Sequence, residues 1–393
     1  MAAKEIIHAC EWGDVAEVER LLPQVRNPAD VKSNWCPKRT LLHFSCHCGW
    51  LDVTRRLVEQ YHCDPESRNS YGDTPLHEAC CKGRVDIVRY LVSERGCSIA
   101  CQNGYGHTPL LEACMNGHLA VVEILLTAQN CSTACNKHTR FLLHYSCRHG
   151  WLDVTRRLVE QYHCDPESRD WICDAPLHEA CREGHVDIVR YLVSELGCST
   201  VHQNKDGNTP LLEACKIGRR AVVEILLTAQ DCSTACSKHS RILLYYSCHH
   251  GWLDVTRRLV EQYHCDPESR DKDGETLLHR ASREGHMDIV RYLISELGCS
   301  IACQNKDGDT PLHVACRTNG TDIVRFLLSS GRADPWIKNV RNQTPLQCCS
   351  DYEVSSLFAD LIGLSSNQIS TAIKIFVFGN PAAGKSSYSG EGH

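Results

Sequence analysis

One 20-residue stretch occurs three times in this chain without a single change. GWLDVTRRLVEQYHCDPESR occupies residues 49–68 and returns at 150–169 and 251–270, so that successive copies lie 101 residues apart. Packing in a protein core tolerates many conservative substitutions and does not by itself require such identity. The identity therefore indicates a recent duplication of a 101-residue block, and a smaller folding unit must be contained within that block.

Each block divides into three shorter units that share a four-residue motif. Thr74-Pro-Leu-His77 is representative, and related motifs begin at residues 40, 74, 108, 141, 175, 209, 242, 276, 310 and 344, at spacings of 33 or 34 residues. The motif predicts a helix over 74–83, with Thr74 as its N-cap, proline in the first turn and Gly83 at its left-handed end. A second helix is predicted over Val85–Glu94. Such short helices are stable only when neighbouring units bury their apolar faces.

The period and the motif resemble the ankyrin repeat, and the resemblance extends to about residue 360. It implies an all-α solenoid, an ankyrin repeat array of helix-turn-helix units with β-hairpin loops. We expect an N-terminal capping ankyrin-like unit at 1–38, the array of three 101-residue super-repeats at 39–350, and a C-terminal cap and linker at 351–371.

Two of the connecting loops differ from the others. Residues 136–140 (NKHTR) and 237–241 (SKHSR) contain no glycine, and each loop is one residue shorter than its counterparts. Glycine supplies positive φ at a loop tip without steric cost. We therefore predict that these two loops have an altered shape.

The resemblance also indicates a binding surface. In ankyrin proteins, the residue after the motif histidine and those three and four residues further on typically line a concave groove. Here an aromatic residue occupies the first of these positions once in each block, between charged residues. We predict protein-binding residues at Phe44, Glu78, Glu112, Tyr145, Arg148, Glu179, Arg182, Glu213, Tyr246, Arg283 and Arg317. The alternative is that duplication copied a surface that has no function.

A different motif stands near the end of the sequence. Residues 373–378 (IKIFVF) predict a buried strand, which leads directly into Gly379, Asn380, Pro381, Ala382, Ala383, Gly384, Lys385 and Ser386. This is the Walker A pattern, in which backbone amides hold phosphates, the lysine reaches the β- and γ-phosphates and the serine binds Mg²⁺. Because only seven residues follow Ser386, we interpret 372–393 as the truncated start of an α/β P-loop NTPase domain.

Repeats followed by a P-loop resemble the layout of ankyrin-bearing Roco-type (Ras-of-complex) GTPases and death-associated kinases, and NACHT-type ATPases with ankyrin repeats are an alternative match. We expect no cofactor in this chain, since GTP or ATP with Mg²⁺ would need a longer form. The leading hypothesis is a non-enzymatic, monomeric scaffold that binds protein partners through its concave face and loop tips. The alternative is the N-terminal fragment of a nucleotide-dependent signalling switch.

The composition argues against several other classes of function. A net charge of −6 gives no reason to expect nucleic acid or an anionic membrane as partner. No apolar run approaches the roughly 20 residues that span a bilayer, and the acidic N-terminus does not resemble a signal peptide. Many of the 27 cysteines recur at one place inside the helical units, which predicts buried, reduced thiols and a cytoplasmic location.

Two further patterns are interpreted as structural. His43-x-x-Cys46-His47-Cys48 has the residue types of a metal site, but Tyr245 replaces the first histidine in the third block, so we predict no metal. The pair Arg55-Arg56 is followed by Glu59, which predicts a solvent-exposed ion pair four residues apart. No cysteine is distinguished as a nucleophile.

Overall fold

The computed structural model describes residues 2–33, 38–128, 139–229 and 232–362. Across these residues the secondary structure is helical, and the β structure is limited to an isolated antiparallel bridge between Lys32 and Thr40. The prediction of β-hairpin loops is therefore wrong for this part of the chain. Among the helices described, none is both long enough and apolar enough to cross a bilayer. The predicted P-loop at 379–386 lies outside the described residues.

The chain divides between Glu213 and Ala214 into two compact units. The first unit contains helices α1 (Ala2–Trp12), α2 (Val15–Leu21), α3 (Leu41–Cys48), α4 (Leu51–Glu59), α5 (Pro75–Cys81), α6 (Val85–Arg89), α7 (Pro109–Met115), α8 (Leu119–Ala128), α9 (Thr139–His149), α10 (Leu152–Glu160), α11 (Pro176–Glu183) and α12 (Val186–Arg190). Short 3₁₀ turns follow α2 at Leu22–Gln24 and Pro28–Asp30.

The division falls within α13 (Pro210–Ile217). The second unit continues with α14 (Arg220–Leu226), α15 (Cys232–His249), α16 (Leu253–Glu261), α17 (Leu277–Glu284), α18 (Met287–Arg291), α19 (Pro311–Arg317), α20 (Thr321–Ser329), α21 (Pro345–Cys348) and α22 (Tyr352–Ile362). In both units first helices of successive repeats pack side by side, as α3 does with α5 and α17 with α19. Such a helix also packs against the second helix of its own repeat, as α3 does with α4 and α17 with α18.

Where a repeat has the motif histidine, this residue joins it to the next repeat. At the start of α3 the backbone N–H of Thr40 donates to Nδ1 of His43, at 3.3 Å. The hydrogen of this neutral imidazole is therefore on Nε2, which donates to the carbonyl oxygen of Asp73, thirty residues later, at 3.0 Å. We call this contact from Nε2 to the next repeat the histidine bridge. It recurs between His77 and His107, His144 and Asp174, His178 and Asn208, His279 and Asp309, and His313 and Gln343.

The second helix of the middle repeat differs from its prediction. Gly83 has a φ of 65°, as expected for the end of the first helix, and α6 begins at Val85. However, α6 ends at Arg89 and the chain continues as a π-helical turn over Tyr90–Glu94. Equivalent turns follow in the other blocks at Tyr191–Glu195 and Tyr292–Glu296.

The π-helical turn packs against the preceding repeat. Tyr90 is buried, its hydroxyl donates to Glu59 at 3.1 Å, and the guanidinium of Arg55 lies 4.4 Å from its ring centroid. The predicted ion pair between Arg55 and Glu59 is present at 3.8 Å, but Arg55 lies closer to Glu94, at 2.7 Å. Arginine 55 thus joins two repeats, which its local sequence did not indicate.

The altered loops are only partly described. Residues 136–138 lie outside the described residues, and α9 begins at Thr139. In the third block, the backbone from Cys232 to His249 is helical with a non-helical kink at His239. The predicted short loop at 237–241 is therefore a kinked helical entry into the repeat.

Cysteines pack as small apolar residues, as predicted. Among the cysteines whose side chains are described, none forms a disulfide bond, and most are buried. Cys46, Cys147 and Cys248 are fully buried at equivalent positions of the three blocks.

Candidate functional site

Two open clefts lie at equivalent places in the second and third blocks. The second-block cleft, of about 190 Å³, is bordered by Phe141, Tyr145, Arg148, Trp171, Glu179 and Arg182, together with neighbouring polar residues. The third-block cleft, of about 530 Å³, is bordered by Arg241, Tyr245, Tyr246, Asp271, Arg280 and Arg283, among others. The first lies within the first unit and the second within the second unit. Six of the eleven predicted binding residues border these two clefts.

Ion pairs hold the wall of the second-block cleft. Arg182 lies 2.8 Å from Asp174, 3.3 Å from Glu179 and 3.6 Å from Glu213. Burial lowers the pKa of Arg182, but the hydrogen bond to Asp174 and the negative charges of its carboxylate neighbours together outweigh that effect, so the net pKa is raised and this side chain stays charged. Burial raises the pKa of Glu179, because its partial pairing does not fully offset the loss of solvent.

An aromatic row borders the same cleft. Tyr145 is half-buried, and burial raises its pKa. Its ring lies 6.4 Å from that of His149, and the His149 ring stacks on Trp151 at 4.9 Å. These ring contacts restrict the orientation of the Tyr145 side chain on helix α9.

The third-block cleft has a different charge arrangement. Arg283 forms two hydrogen bonds with Glu275, and this contact raises the pKa of Arg283. Arg280 lies 4.0 Å from the ring centroid of Tyr245 and donates to Glu284 at 2.9 Å. Since Arg280 occupies the position of Glu179, the two clefts carry opposite charges at this point.

In the first block, an arginine of this chain, Arg39, lies at the place that corresponds to the two clefts. Phe44 and Glu78 are buried, and Arg39 donates to both carboxylate oxygens of Glu78 at 2.6 and 2.9 Å. The guanidinium also lies 5.8 Å from the Phe44 ring centroid. Burial raises the pKa of Glu78, but the hydrogen bond from His47 and the charge of Arg39 leave it below its usual value.

The remaining predicted residues are used within the fold. Glu112 accepts from Asn103 at 3.3 Å and contacts His107 at 2.9 Å. Glu213 accepts from Asn204 at 3.1 Å and from Asn208 at 2.9 Å, while Arg317 pairs with Asp309 at 2.7 Å. These contacts connect a loop to the helix that follows it. Their binding roles stay predictions.

Sequence reasoning missed the aromatic residues at the loop tips. Trp171 borders the second-block cleft with 71% of its surface exposed, and Tyr105 is 65% exposed at the tip of another loop. Trp171 stands one residue after the loop aspartate Asp170, and Tyr105 stands two residues after the loop asparagine Asn103, so an aromatic residue among turn residues was the available signal. Cys173 in the same loop has a φ of 61°, where the sister loops have Gly72 and Gly274.

Three carboxylates meet beside the second-block cleft. Oxygen atoms of Asp170, Asp174 and Glu179 lie within 4.8 Å of one another, a separation that could suit a cation. However, Asp174 already binds Arg182 and accepts from Asn204 at 2.9 Å. In the first block, His43 takes part in a histidine bridge and His47 contacts Glu78 at 2.9 Å, so these two candidate ligands have other partners.

Paired short helices, histidine bridges and clefts beside the loops define a repeat protein of stacked helical units. The family model described as ankyrin repeats (3 copies) matches residues 6–103, 95–170, 172–236 and 229–305, and the model of the single ankyrin repeat matches 307–340. The chain therefore belongs to the ankyrin repeat family.

Among solved structures, the chain is similar to the crystal structure of the human ASB11 ankyrin repeat domain. The two are 25% identical with a TM-score of 0.48, and the match covers 57% of this chain and 99% of that domain. The curated proteins gave no match.

Proposed function

We propose that this chain is a protein-binding scaffold whose partners dock in the second-block and third-block clefts and on the neighbouring loop tips. Ankyrin repeats are generally protein–protein interaction modules. One observation carries the more specific proposal: Tyr145, predicted from sequence as a binding residue, borders an open cleft, and so does its counterpart Tyr246.

The geometry of both clefts favours recognition of a protein segment. Tyrosine and arginine contribute disproportionately to binding energy when a partner buries them. Here, ion pairs from Arg182 to Asp174 and from Arg283 to Glu275 hold the walls before binding. A wall that is already ordered reduces the entropy lost on association.

The test uses the double variant Tyr145→Ala, Tyr246→Ala. Partners are captured on the wild-type chain, identified by mass spectrometry, purified, and titrated against wild type and variant. We expect the variant to bind at least about tenfold more weakly, a loss of about 1.4 kcal/mol. Tyr61→Ala, a half-buried tyrosine just after α4 that borders neither cleft and lies at no loop tip, is the matched control.

Thermal melts separate binding from folding in this test. The double variant should melt close to wild type, because both tyrosines retain partial exposure in the folded chain. Unchanged affinity for the purified partner would mean that the tyrosines were copied by duplication without a binding role.

We also propose that the scaffold acts as a monomer, without catalysis, in the cytoplasm. The buried cysteines that form no disulfide bond in the described part of the chain support a reducing compartment. Light scattering on the purified chain and fractionation of cells that express it test these two points.

A nucleotide-dependent switch is the second candidate. It rests on the sequence of Gly379–Ser386, which follows the strand predicted at 373–378 in the order that a P-loop requires. Its first test is the genomic sequence downstream of His393, where an in-frame D-x-x-G and an N/T-K-x-D would support a GTPase.

A further inference from the structure

The duplication supplies three copies of one arrangement for comparison. Arg39, Arg140 and Arg241 stand at equivalent positions, 101 residues apart. In the first block, Arg39 binds both oxygens of Glu78 and lies against Phe44. The guanidinium thus forms a bidentate contact with a carboxylate while it lies against an aromatic ring. Residues at these two positions can therefore bind an arginine side chain.

The second block has an aromatic residue and a glutamate at the positions of Phe44 and Glu78, but its equivalent arginine does not lie between them. Tyr145 replaces Phe44, and Glu179 replaces Glu78. Arg140, however, is exposed and lies 4.8 Å from the ring centroid of Phe141. Tyr145 and Glu179 both border the second-block cleft.

The charges beside this cleft favour a cation. The closest carboxylate contact of Arg182 is with Asp174, at 2.8 Å, whereas Glu179 receives a longer contact of 3.3 Å. Asp170 and Glu183 also border the cleft, and Arg148 adds one exposed positive charge. Glu179 itself is about nine-tenths buried, so an added donor would satisfy a carboxylate in a low-dielectric setting.

We propose that the second-block cleft binds an arginine side chain of the protein partner, between Tyr145 and Glu179, as Arg39 lies between Phe44 and Glu78. The inference rests on the proposed function, since it names the chemistry that the scaffold recognises. A planar guanidinium can stack on the tyrosine and form two hydrogen bonds with the carboxylate. A lysine ammonium cannot do both, so arginine is preferred.

The third block provides an internal contrast. Arg280 occupies the position of Glu179 and already lies over Tyr245. An incoming guanidinium would meet a like charge there. The substitution Glu179→Arg therefore reproduces in the second block a residue that this chain already accommodates in a sister repeat.

The experiment selects twelve-residue peptides from a random display library on the full-length chain. The strongest binder is labelled with fluorescein and titrated by fluorescence anisotropy. We expect an arginine whose replacement by citrulline, a neutral analogue, weakens binding at least about tenfold, in line with the strength of charge-assisted hydrogen bonds. Replacement by lysine should weaken binding to a smaller extent.

Protein variants then locate the contact. Glu179→Gln and Glu179→Arg should each weaken binding at least about tenfold, with Glu179→Arg the more severe. Glu123→Gln, on the exposed surface of α8, should bind as wild type does. The citrulline peptide keeps the test valid if a Glu179 variant folds poorly, because it leaves the protein unchanged.

The outcomes separate this inference from the proposed function. Peptides that bind without an arginine, or that tolerate citrulline, would overturn the arginine site and leave the scaffold intact. Failure to select any peptide would count against both. Loss of binding on addition of EDTA would show that Asp170, Asp174 and Glu179 hold a divalent cation, which also overturns the arginine site.

Discussion

The Nε2 atom of His313 lies 3.1 Å from the carbonyl oxygen of Gln343, thirty residues later in the next repeat. Its Nδ1 atom accepts from the backbone N–H of Thr310, also at 3.1 Å. The bridge of His313 therefore needs a neutral imidazole, and burial lowers the pKa of His313. Burial likewise lowers the pKa of the bridge residues His43, His77, His178 and His279.

Stability should fall as the pH falls below about 6.5, the ordinary histidine pKa. In that range the unfolded chain binds more protons than the folded chain, so acid favours unfolding. The stabilisation is fully present above pH 6.5 and is lost progressively toward the lower folded pKa values. Urea midpoints at pH 7.5, 6.5 and 5.5 measure the effect, and a midpoint that is constant or rises toward pH 5.5 would contradict it.

The variant His313→Gln provides the control for this pH dependence. In the last repeat, Gln347 occupies the histidine position and its Oε1 accepts from the N–H of Thr344 at 2.9 Å. Glutamine can therefore keep the helix cap without titrating. We expect the urea midpoint of His313→Gln to change less with pH than that of wild type, because one titrating histidine no longer contributes.

Replacing Cys173 by glycine should stabilise the fold. Cys173 has a φ of 61°, a conformation that costs an L-residue roughly 1–2 kcal/mol. Glycine loses more entropy on folding, so we expect a net gain of about 0.5–1 kcal/mol in the free energy of unfolding. The reverse substitution, Gly274→Cys in the sister loop, should destabilise, and urea unfolding of both variants measures the pair.

The local elements of the repeat could be predicted from sequence, because their signals are local. Thr74 and His77 specify a cap, and Gly83 specifies a left-handed turn. The π-helical turn at Tyr90–Glu94 could not be predicted, since it shifts the hydrogen bonds by one residue without a distinctive composition. Its packing depends on Arg55 of the preceding repeat, which is a tertiary contact.

Thiol reactivity should follow burial. Burial raises the pKa of the Cys147 and Cys248 thiols to about 12, so few of them are thiolate at pH 8. We expect iodoacetamide at pH 8 to alkylate the half-buried Cys173 well before either of these. Peptide mapping by mass spectrometry reads the order, and equal labelling of Cys147 and Cys173 in native protein would contradict it.

Nucleotide titration addresses the sequence motif at 379–386. P-loops stand on parallel sheets, and the 393 residues of this sequence contain one predicted strand beside the motif, so we expect this 393-residue polypeptide to bind neither GTP nor ATP with micromolar affinity. Isothermal titration calorimetry with Mg²⁺ measures this. Tight binding that is lost in Lys385→Ala would instead establish a nucleotide site. It would contradict the hypothesis that the chain is a scaffold without nucleotide binding.

The candidate site was predictable only in part. Tyr145 and Glu179 followed from their places in the repeat, but the openness of the second-block cleft did not. It depends on Arg140, which has the same identity as Arg39 yet contacts Phe141 and not the glutamate. Equal residues at equal positions thus take different partners, and only the folded arrangement distinguishes them.

The histidine bridge also bears on how such a gene can change length. Each bridge links a histidine to a carbonyl thirty residues ahead, and the blocks repeat this spacing at 101-residue intervals. Unequal crossing-over between the identical 20-residue stretches would remove or add one whole block, and every remaining histidine would still meet a backbone carbonyl at the same offset. We expect the chain with residues 150–250 deleted to fold, with circular dichroism and a sharp melt as the measurement. The 101-residue block that is duplicated in the gene would then also be a block whose removal leaves the remaining histidine bridges intact.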